Sequence, residues 1–433
     1  MPRQRTRKPA AQRRSRVARL TRRGWLILSA GIAAIVAAYS SGRSELLPLG
    51  ALLVLLPISG WVFVRVRPLS FAVTREFSPA IVASGKASAV QLDVQNLSGY
   101  RSPAGFWRDT WPWRPFATVP VELGGLAARG IHYRAAGSVA RLKYDVQPSR
   151  RGLFEIGPLL IDFSDPFGLV DGAVIAAGTD TLIVTPAIVH LPEGAVAIAA
   201  DEGPTHMRQR RSYGGEDDLM TREYREGDAM RRVHWRASAH HGELMVRQEE
   251  QRSHAEAHIV LDTRRSNFRD ARSIHSAEEP ESETFEWAVG FCASLSLYLL
   301  ERGFIVRVVE TGSKQLAPAE QLDEFLHSLA AVQLTGQPEE RMSLLRQVSR
   351  PDRSQGSVFA IVSSADSDSV DRLVTQRSSF DLAVAFVVDP WTSPVIEPLR
   401  EAGWLCVPVH PDDSIEDAWL AVGAQQESRR GSA

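Results

Sequence analysis

Charge and reactive side chains are densest between Arg211 and Gln251, where the chain reads RSYGGEDDLMTREYREGDAMRRVHWRASAHHGELMVRQEEQ. Asp228, His234 and Ser238 offer the three groups of nucleophilic hydrolysis, in which a carboxylate orients an imidazole that takes a hydroxyl proton. Their spacing opposes that use. In an extended strand His234 and Ser238 share a face but stand about 13 Å apart, too far for a hydrogen bond without a sharp bend. Recognition suits the same residues better. Glu226-Gly227-Asp228 predicts a turn, after which Val233, Trp235 and Ala237 fall on one face of a strand and Arg232, His234 and Arg236 on the other. His241-Gly242-Glu243 predicts a reversal into Leu244 and Val246, giving a hairpin with one apolar and one cationic face. In that reading Asp228 pairs with Arg231 or caps the turn, Trp235 packs between domains, and the cationic face suits an acidic protein surface.

Other clusters carry weaker chemistry. Five of the eleven histidines, His234, His240, His241, His254 and His258, fall close together, but without a zinc-ligand spacing, so a solvated loop is expected. Phe106 to Phe116 reads FWRDTWPWRPF; its prolines predict an exposed loop or sheet edge, suited to lipid or protein contact, with core filling as the alternative. Cys292 and Cys406, the two cysteines, sit in apolar runs and predict core packing rather than a disulfide framework.

The elements that must position these groups follow from charge and periodicity. The net charge is −1, yet the first 23 residues hold ten basic and no acidic side chains. The remainder therefore carries 40 basic against 51 acidic residues, which argues against a globular part built to grip nucleic acid. Residues 1–23 read as a basic cytosolic tail, drawn to anionic membrane lipid at roughly 1 kcal/mol per basic residue near the surface, with nucleic-acid binding through its arginines as the alternative. Trp25 to Tyr39 and Leu46 to Val64 are uncharged apolar runs, and residues 24–64 predict a two-helix transmembrane anchor. A cleaved signal peptide is the alternative for the first run. Basic residues before the first helix, with Arg65 and Arg67 after the second, predict a multi-pass hairpin with both termini cytoplasmic.

Residues 65–200 show short alternating runs between Gly, Pro and Ser, predicting an antiparallel β-sandwich domain. Within it Phe154, Ile156 and Leu160 are expected to alternate inward before a turn at Asp165-Pro166-Phe167-Gly168. Residues 201–425 combine the charged hairpin with apolar strands alternating with helices, two of them between Ala317 and Val348. That pattern predicts a C-terminal α/β doubly wound domain with its parallel sheet covered on both faces. Residues 426–433 read as a disordered tail.

The charged segment resembles the domain-of-unknown-function family 58, whose signature runs approximately Arg-x-Tyr-x-x-Gly-Asp-x-x-Arg-x-Ile-His-Trp-Lys-x-Ser/Thr-Ala. Arg222, Tyr224, Gly227, Asp228, Arg231, His234, Trp235, Ser238 and Ala239 match it, with Val233 for Ile and Arg236 for Lys. Arg151-Gly152, Gly157-Pro158 and Asp165-Pro166-Phe167-Gly168-Leu169 resemble the family's preceding β region. The resemblance implies a membrane-anchored bacterial protein of the inner membrane with a C-terminal von Willebrand factor type A-like domain. It further implies a MoxR-type AAA+ ATPase and other membrane proteins as partners, and no established catalysis. A type A metal site needs Asp-x-Ser-x-Ser to offer hard oxygens to Mg²⁺. Here the stretch is Asp262-Thr263-Arg264-Arg265-Ser266, so Asp262 and Ser266 remain as candidates while Arg264 puts a cation where the ion would sit. No cofactor is expected, Mg²⁺ is disfavoured, and Asp262 is expected to brace the loop.

Overall fold

The computed structural model describes residues 16–66, 69–112, 118–128, 139–193, 221–224, 230, 233, 235–247, 256–271, 281–336, 356–364, 367–389 and 395–431. They form two compact units, divided between Thr185 and Pro186.

The first unit opens with strand β1 (Arg16–Leu20) and two helices, α1 (Arg22–Ser41) and α2 (Leu46–Val66). Both helices are long and apolar enough to cross a membrane by length and composition. Thr21 caps α1, its hydroxyl accepting from the Gly24 N–H at 3.0 Å, and Gly42 ends it in the left-handed region at φ 69°. The helices approach closely through glycine. A Cβ on Gly31 would lie 2.9 Å from Leu53 and Val54 side-chain atoms, and one on Gly50 2.7 Å from Ile35. The outward faces expose Leu26, Ile32, Val36, Leu49, Leu52, Leu55 and Ile58.

The β elements that follow are β2 (Phe71–Ser78), β3 (Ile81–Ala83), β4 (Ser88–Asn96), β5 (Gly105–Arg108), β6 (Val121–Leu123), β7 (Val139–Val146), β8 (Gly152–Ile156), β9 (Leu159–Ser164), β10 (Val170–Ala177) and β11 (Asp180–Thr185). Among the described residues they pair as β1-β10-β9-β5-β6, β2-β4-β7 and β3-β11-β8, antiparallel except for β3 with β11. One core joins them: Val90, Leu92 and Val94 of β4, Ile156, Leu159, Val170, Leu182 and Val184 are all sealed from solvent. Ile27, Leu56 and Phe63 of the helices pack against the same core.

Three expectations change. Arg16–Leu20, read as part of the basic tail, pairs along β10, so its backbone is in a sheet. Phe154 and Ile156 are buried, but the next inward set is Leu159, Ile161 and Phe163 rather than Leu160. Gly157-Pro158 separates two strands that belong to different sheets, which resets the alternation. The aromatic stretch begins not at an edge but as the interior strand β5, between β9 and β6, with Trp107 in the core at 3% exposure, as the core-filling alternative has it, and Phe106 exposed, while residues 113–116 lie outside the described residues. Gly105 permits this, because a Cβ there would lie 2.1 Å from the Asp162 carbonyl oxygen on β9.

In the second unit β12 (Thr221–Glu223) pairs antiparallel with β13 (Met245–Arg247), and the short helix α3 (Trp235–His241) lies between them in sequence. A parallel sheet follows, built from β14 (Glu256–Leu261), β15 (Ile305–Glu310), β16 (Ser357–Val362), β17 (Leu382–Val388) and β18 (Leu405–Val409) in the order β15-β14-β16-β17-β18. Its helices are α4 (Glu283–Glu301), α5 (Leu322–Ala331), α6 (Ser367–Gln376), α7 (Ile396–Glu401) and α8 (Ile415–Gly431). Alternate strand residues build two cores. Ile259, Leu261, Phe359 and Phe386 meet Phe285, Phe291, Phe325 and Trp419, whereas Val260, Ala360, Ala385 and Val387 meet Val370, Leu373, Leu399 and Trp404. Both faces are thus covered, which is why the strands read as unbroken apolar runs. Cys292 and Cys406 are buried in these cores. Of the two helices expected between Ala317 and Val348, α5 is seen, and residues 337–355 lie outside the described residues.

The charged stretch does not form the expected hairpin. Residues 235–241 are helical, and the strand paired with β13 is the upstream β12. Gly242 does reverse the chain, at φ 77°, but as the end of a helix: its N–H donates to the Ser238 carbonyl at 2.9 Å. Arg236, Ala237 and Ala239 are good helix formers, and over so few residues a period of two is weak evidence for a strand.

Candidate functional site

The carboxyl ends of β14 and β15 bring together the most tightly organised polar cluster of the second unit. Asp262 follows β14 and is fully buried, its N–H donating to the Ile361 carbonyl of β16 at 3.1 Å. Its Oδ1 accepts from the Arg264 N–H at 3.2 Å and from the Thr311 hydroxyl, and its Oδ2 from the Asn267 side-chain amide at 2.7 Å. Thr311 caps the end of β15 and also accepts from the Thr263 N–H at 3.1 Å. Thr263 in turn accepts from the Gly312 N–H at 3.0 Å. Glycine is required at 312, since a Cβ would fall 2.2 Å from the Thr335 hydroxyl.

Arg264 closes the cluster. Its Nε lies 3.8 Å from Asp262 Oδ1, and its terminal nitrogen donates to the Ser369 hydroxyl of α6. Arg265 turns toward Glu281, whose other oxygen accepts from the Leu334 N–H at 3.2 Å. Burial pushes the Asp262 carboxyl above the ordinary carboxylate range, while the bonds from Thr311 and Asn267 and the Arg264 charge pull it back. The arrangement is a buried carboxyl braced by donors and neutralised from within the chain.

Those residues do not fit Mg²⁺. Both Asp262 oxygens face N–H or O–H donors, a guanidinium stands beside them, and the Ser266 hydroxyl bonds the Asn267 amide oxygen at 3.1 Å. A hard cation needs free oxygen lone pairs converging on one point. Among the described residues no group of three or more His, Cys, Asp or Glu side chains is placed to hold a metal.

The signature residues divide differently. Arg222 lies on β12 opposite Val246 of β13, and the Tyr224 N–H donates to the Leu244 carbonyl at 2.7 Å. Trp235, Arg236 and Ser238 lie on α3, with the Trp235 ring exposed. The Ser238 hydroxyl accepts from the Met245 N–H at 2.8 Å, tying the helix to the next strand. Val233 bridges to Val246, and both are buried. Gly227, Asp228, Arg231 and His234 lie outside the described residues.

Two constellations escaped the sequence reading. Thr311, Asn267 and Ser369 converge on the Asp262–Arg264 pair, and a Thr-Gly pair at a strand end was the available signal. In the first unit Arg75 and Asp109 form a fully buried pair at 2.8 Å, Tyr144 donates to Asp109 at 2.6 Å, and Arg75 also reaches Asp180. Burial first, and then the Asp109 charge, push the Tyr144 phenol far above its ordinary range. Three strands and a loop supply these groups, so no local motif announces them.

Residues 220–393 match the model of a family described as "Protein of unknown function DUF58". No curated protein matches the chain. Among solved structures, the crystal structure of the CARDB domain of the PF1109 protein from Pyrococcus furiosus, in complex with di-metal ions, is 13% identical. It covers 27% of this chain and 88% of that chain at a TM-score of 0.18. The solution structure of the same domain is also 13% identical, with coverages of 27% and 93% and a TM-score of 0.17. A Paenibacillus sp. cycloisomaltooligosaccharide glucanotransferase is 11% identical over 74% of this chain and 49% of that chain, at 0.18. Likenesses this low carry no argument for fold or function.

Proposed function

We propose that the chain is a membrane-anchored member of the family matched over residues 220–393, working as a protein-interaction scaffold at the cytosolic face of a bacterial inner membrane. In this reading α1 and α2 cross the bilayer as a multi-pass hairpin with both termini cytoplasmic. The first unit's sheets make a β-sandwich, and the second unit is similar to a von Willebrand factor type A domain. The partner is a MoxR-type AAA+ ATPase that assembles or remodels envelope complexes, and the basic N-terminal residues attract anionic lipid.

The observation that carries the reading is the pair of adjacent helices, glycine-packed against each other with outward Leu, Ile and Val. Such faces belong in hydrocarbon, because a water-facing helix carries a polar stripe. A scaffold rather than an enzyme is favoured by the candidate sites: the Asp262 carboxyl is sealed and internally neutralised, and the Ser238 hydroxyl holds a backbone N–H. Protease added outside intact spheroplasts should leave residues beyond Val66 uncut, and proximity labelling from the C-terminus should mark a cytosolic ATPase. Cleavage from outside would end the proposal. Alanine at Asp228, His234 and Ser238 should weaken partner capture; loss of a hydrolytic turnover would instead favour an enzyme.

A further inference from the structure

The turn between β9 and β10 is bound to the helix ends more closely than a surface turn needs to be. Asp165 is buried and organises it: Oδ1 accepts from the Leu169 and Val170 N–H groups at 2.6 and 2.7 Å, and Oδ2 from the Phe167 N–H at 3.1 Å. Gly168, at φ 68°, closes the turn through its N–H to the Asp165 carbonyl at 3.0 Å. The turn then meets α1, where the Thr21 N–H donates to the Leu169 carbonyl at 2.9 Å. The Thr21 hydroxyl lies 3.0 and 3.1 Å from the Gly168 and Leu169 carbonyl oxygens.

Two glycines make room for it. A Cβ on Gly24 would stand 2.2 Å from the Leu169 carbonyl oxygen, and one on Gly60 of α2 2.9 Å from the Asp165 carboxylate. Each of these glycines is followed directly by a tryptophan, Trp25 and Trp61, exposed at 60% and 39%. The Arg65 guanidinium lies over the Trp61 ring, 4.9 Å from its centroid. A tryptophan beside a cation at the end of an apolar helix sits at the level of the lipid headgroups. The turn is therefore fixed at that same level along both helices. At its tip the Phe167 ring is 62% exposed, although the N–H groups of residues 167–170 are all bonded to Asp165.

We propose that this turn is a membrane-contact site, with Phe167 inserted among phospholipid headgroups as the third aromatic of a belt formed with Trp25 and Trp61. The dock at Gly24 and Gly60 makes hairpin and β unit one piece, holding the β unit directly against the lipid surface. The occupant is phospholipid because an exposed aromatic ring is carried on a turn held against the helix ends that bear Trp25, Trp61 and Arg65, and indole beside a cation suits the headgroup layer. The inference rests on the helices crossing a bilayer, as proposed above.

The test uses the full chain reconstituted in phosphatidylethanolamine and phosphatidylglycerol vesicles, with a polarity-sensitive fluorophore on Phe167→Cys or, separately, on Leu55→Cys. The native thiols of Cys292 and Cys406 are buried and leave the labelling selective. The label at 167 should shift to shorter wavelength relative to detergent-free unfolded chain, and be quenched more by nitroxide near the headgroup than deep in the acyl chain. Quenching at 55 without quenching at 167 overturns this inference and leaves the anchor intact; no quenching at either position overturns both. Phe167→Asp offers a label-free check: with an unchanged circular dichroism spectrum it should reduce shallow-nitroxide quenching of Trp25 and Trp61, and an unchanged quenching profile would count against the contact.

Discussion

Replacing Arg264 by Met keeps most of the aliphatic stem but removes the cation beside Asp262. Their closest charged atoms are 3.8 Å apart, and both side chains are nearly sealed from water. At that distance an effective dielectric constant of about 20 gives roughly 4 kcal/mol of attraction. Removing one partner of a buried pair costs about 3–5 kcal/mol for the same reason: it leaves a charge with nothing to answer it. Asp262 can relieve part of that cost by taking up a proton. Burial already raises its folded-state titration above the unfolded one, so the folded chain holds a proton the unfolded chain has released, and stability falls as pH rises through the folded titration. Arg264 is among the influences opposing that rise. Without it the window extends upward, and the Arg264→Met penalty should be larger near about pH 8 than near about pH 5. Thermal unfolding of the full chain in detergent, followed through the buried Trp404 and Trp419, should show Tm lower by roughly 6–20 °C at the higher pH. Adding Asp262→Asn should recover most of the loss, since the pair interacts as a unit. Coincident melting of parent and Arg264→Met at both pH values would refute the buried pair.

Gly24→Ala forces a methyl onto the Leu169 carbonyl and should lower the melting of the first unit by about 2 kcal/mol, whereas Gly99→Ala, which meets open space, should leave it unchanged. Equal melting of the two variants would count against a tight dock. Mg²⁺ added at matched ionic strength should leave the Tm of the second unit where it is; a magnesium-specific rise would restore Asp262 and Ser266 as ligands. The Cys292 thiol, pushed up to about 12 by burial, should resist alkylation at neutral pH until the second unit unfolds, and rapid labelling of the native chain would contradict that packing.

Much of the architecture was legible because it is written in short-range pattern. Trp25 to Tyr39 carries no charge and Leu46 to Val64 is as long as a bilayer core is thick, so helices at Arg22–Ser41 and Leu46–Val66 follow from composition alone. Val358 to Val362 and Leu382 to Val388 read as buried parallel strands, since only a sheet covered on both faces needs every residue apolar. Residues 233–237 were legible only in part. The alternation there is real, but a few residues match two periods, and the strand that pairs with β13 turned out to lie upstream at Thr221–Glu223.

Local composition by itself determined the apolar helices, the alternation of strands and helices from β14 onward and the presence of an arginine where a metal ligand would otherwise stand. Tertiary structure alone decided what that arginine does, because Ser369 and Thr311 reach it and Asp262 from 105 and 49 residues away. It also decided that Arg16–Leu20 joins a sheet, that Trp107 lies in a core, and that Asp165 faces Gly60 across the first unit. Periodicity is a property of neighbouring residues in sequence, whereas the pairing of a buried charge or a close backbone approach depends on which distant segments the collapsing core brings together.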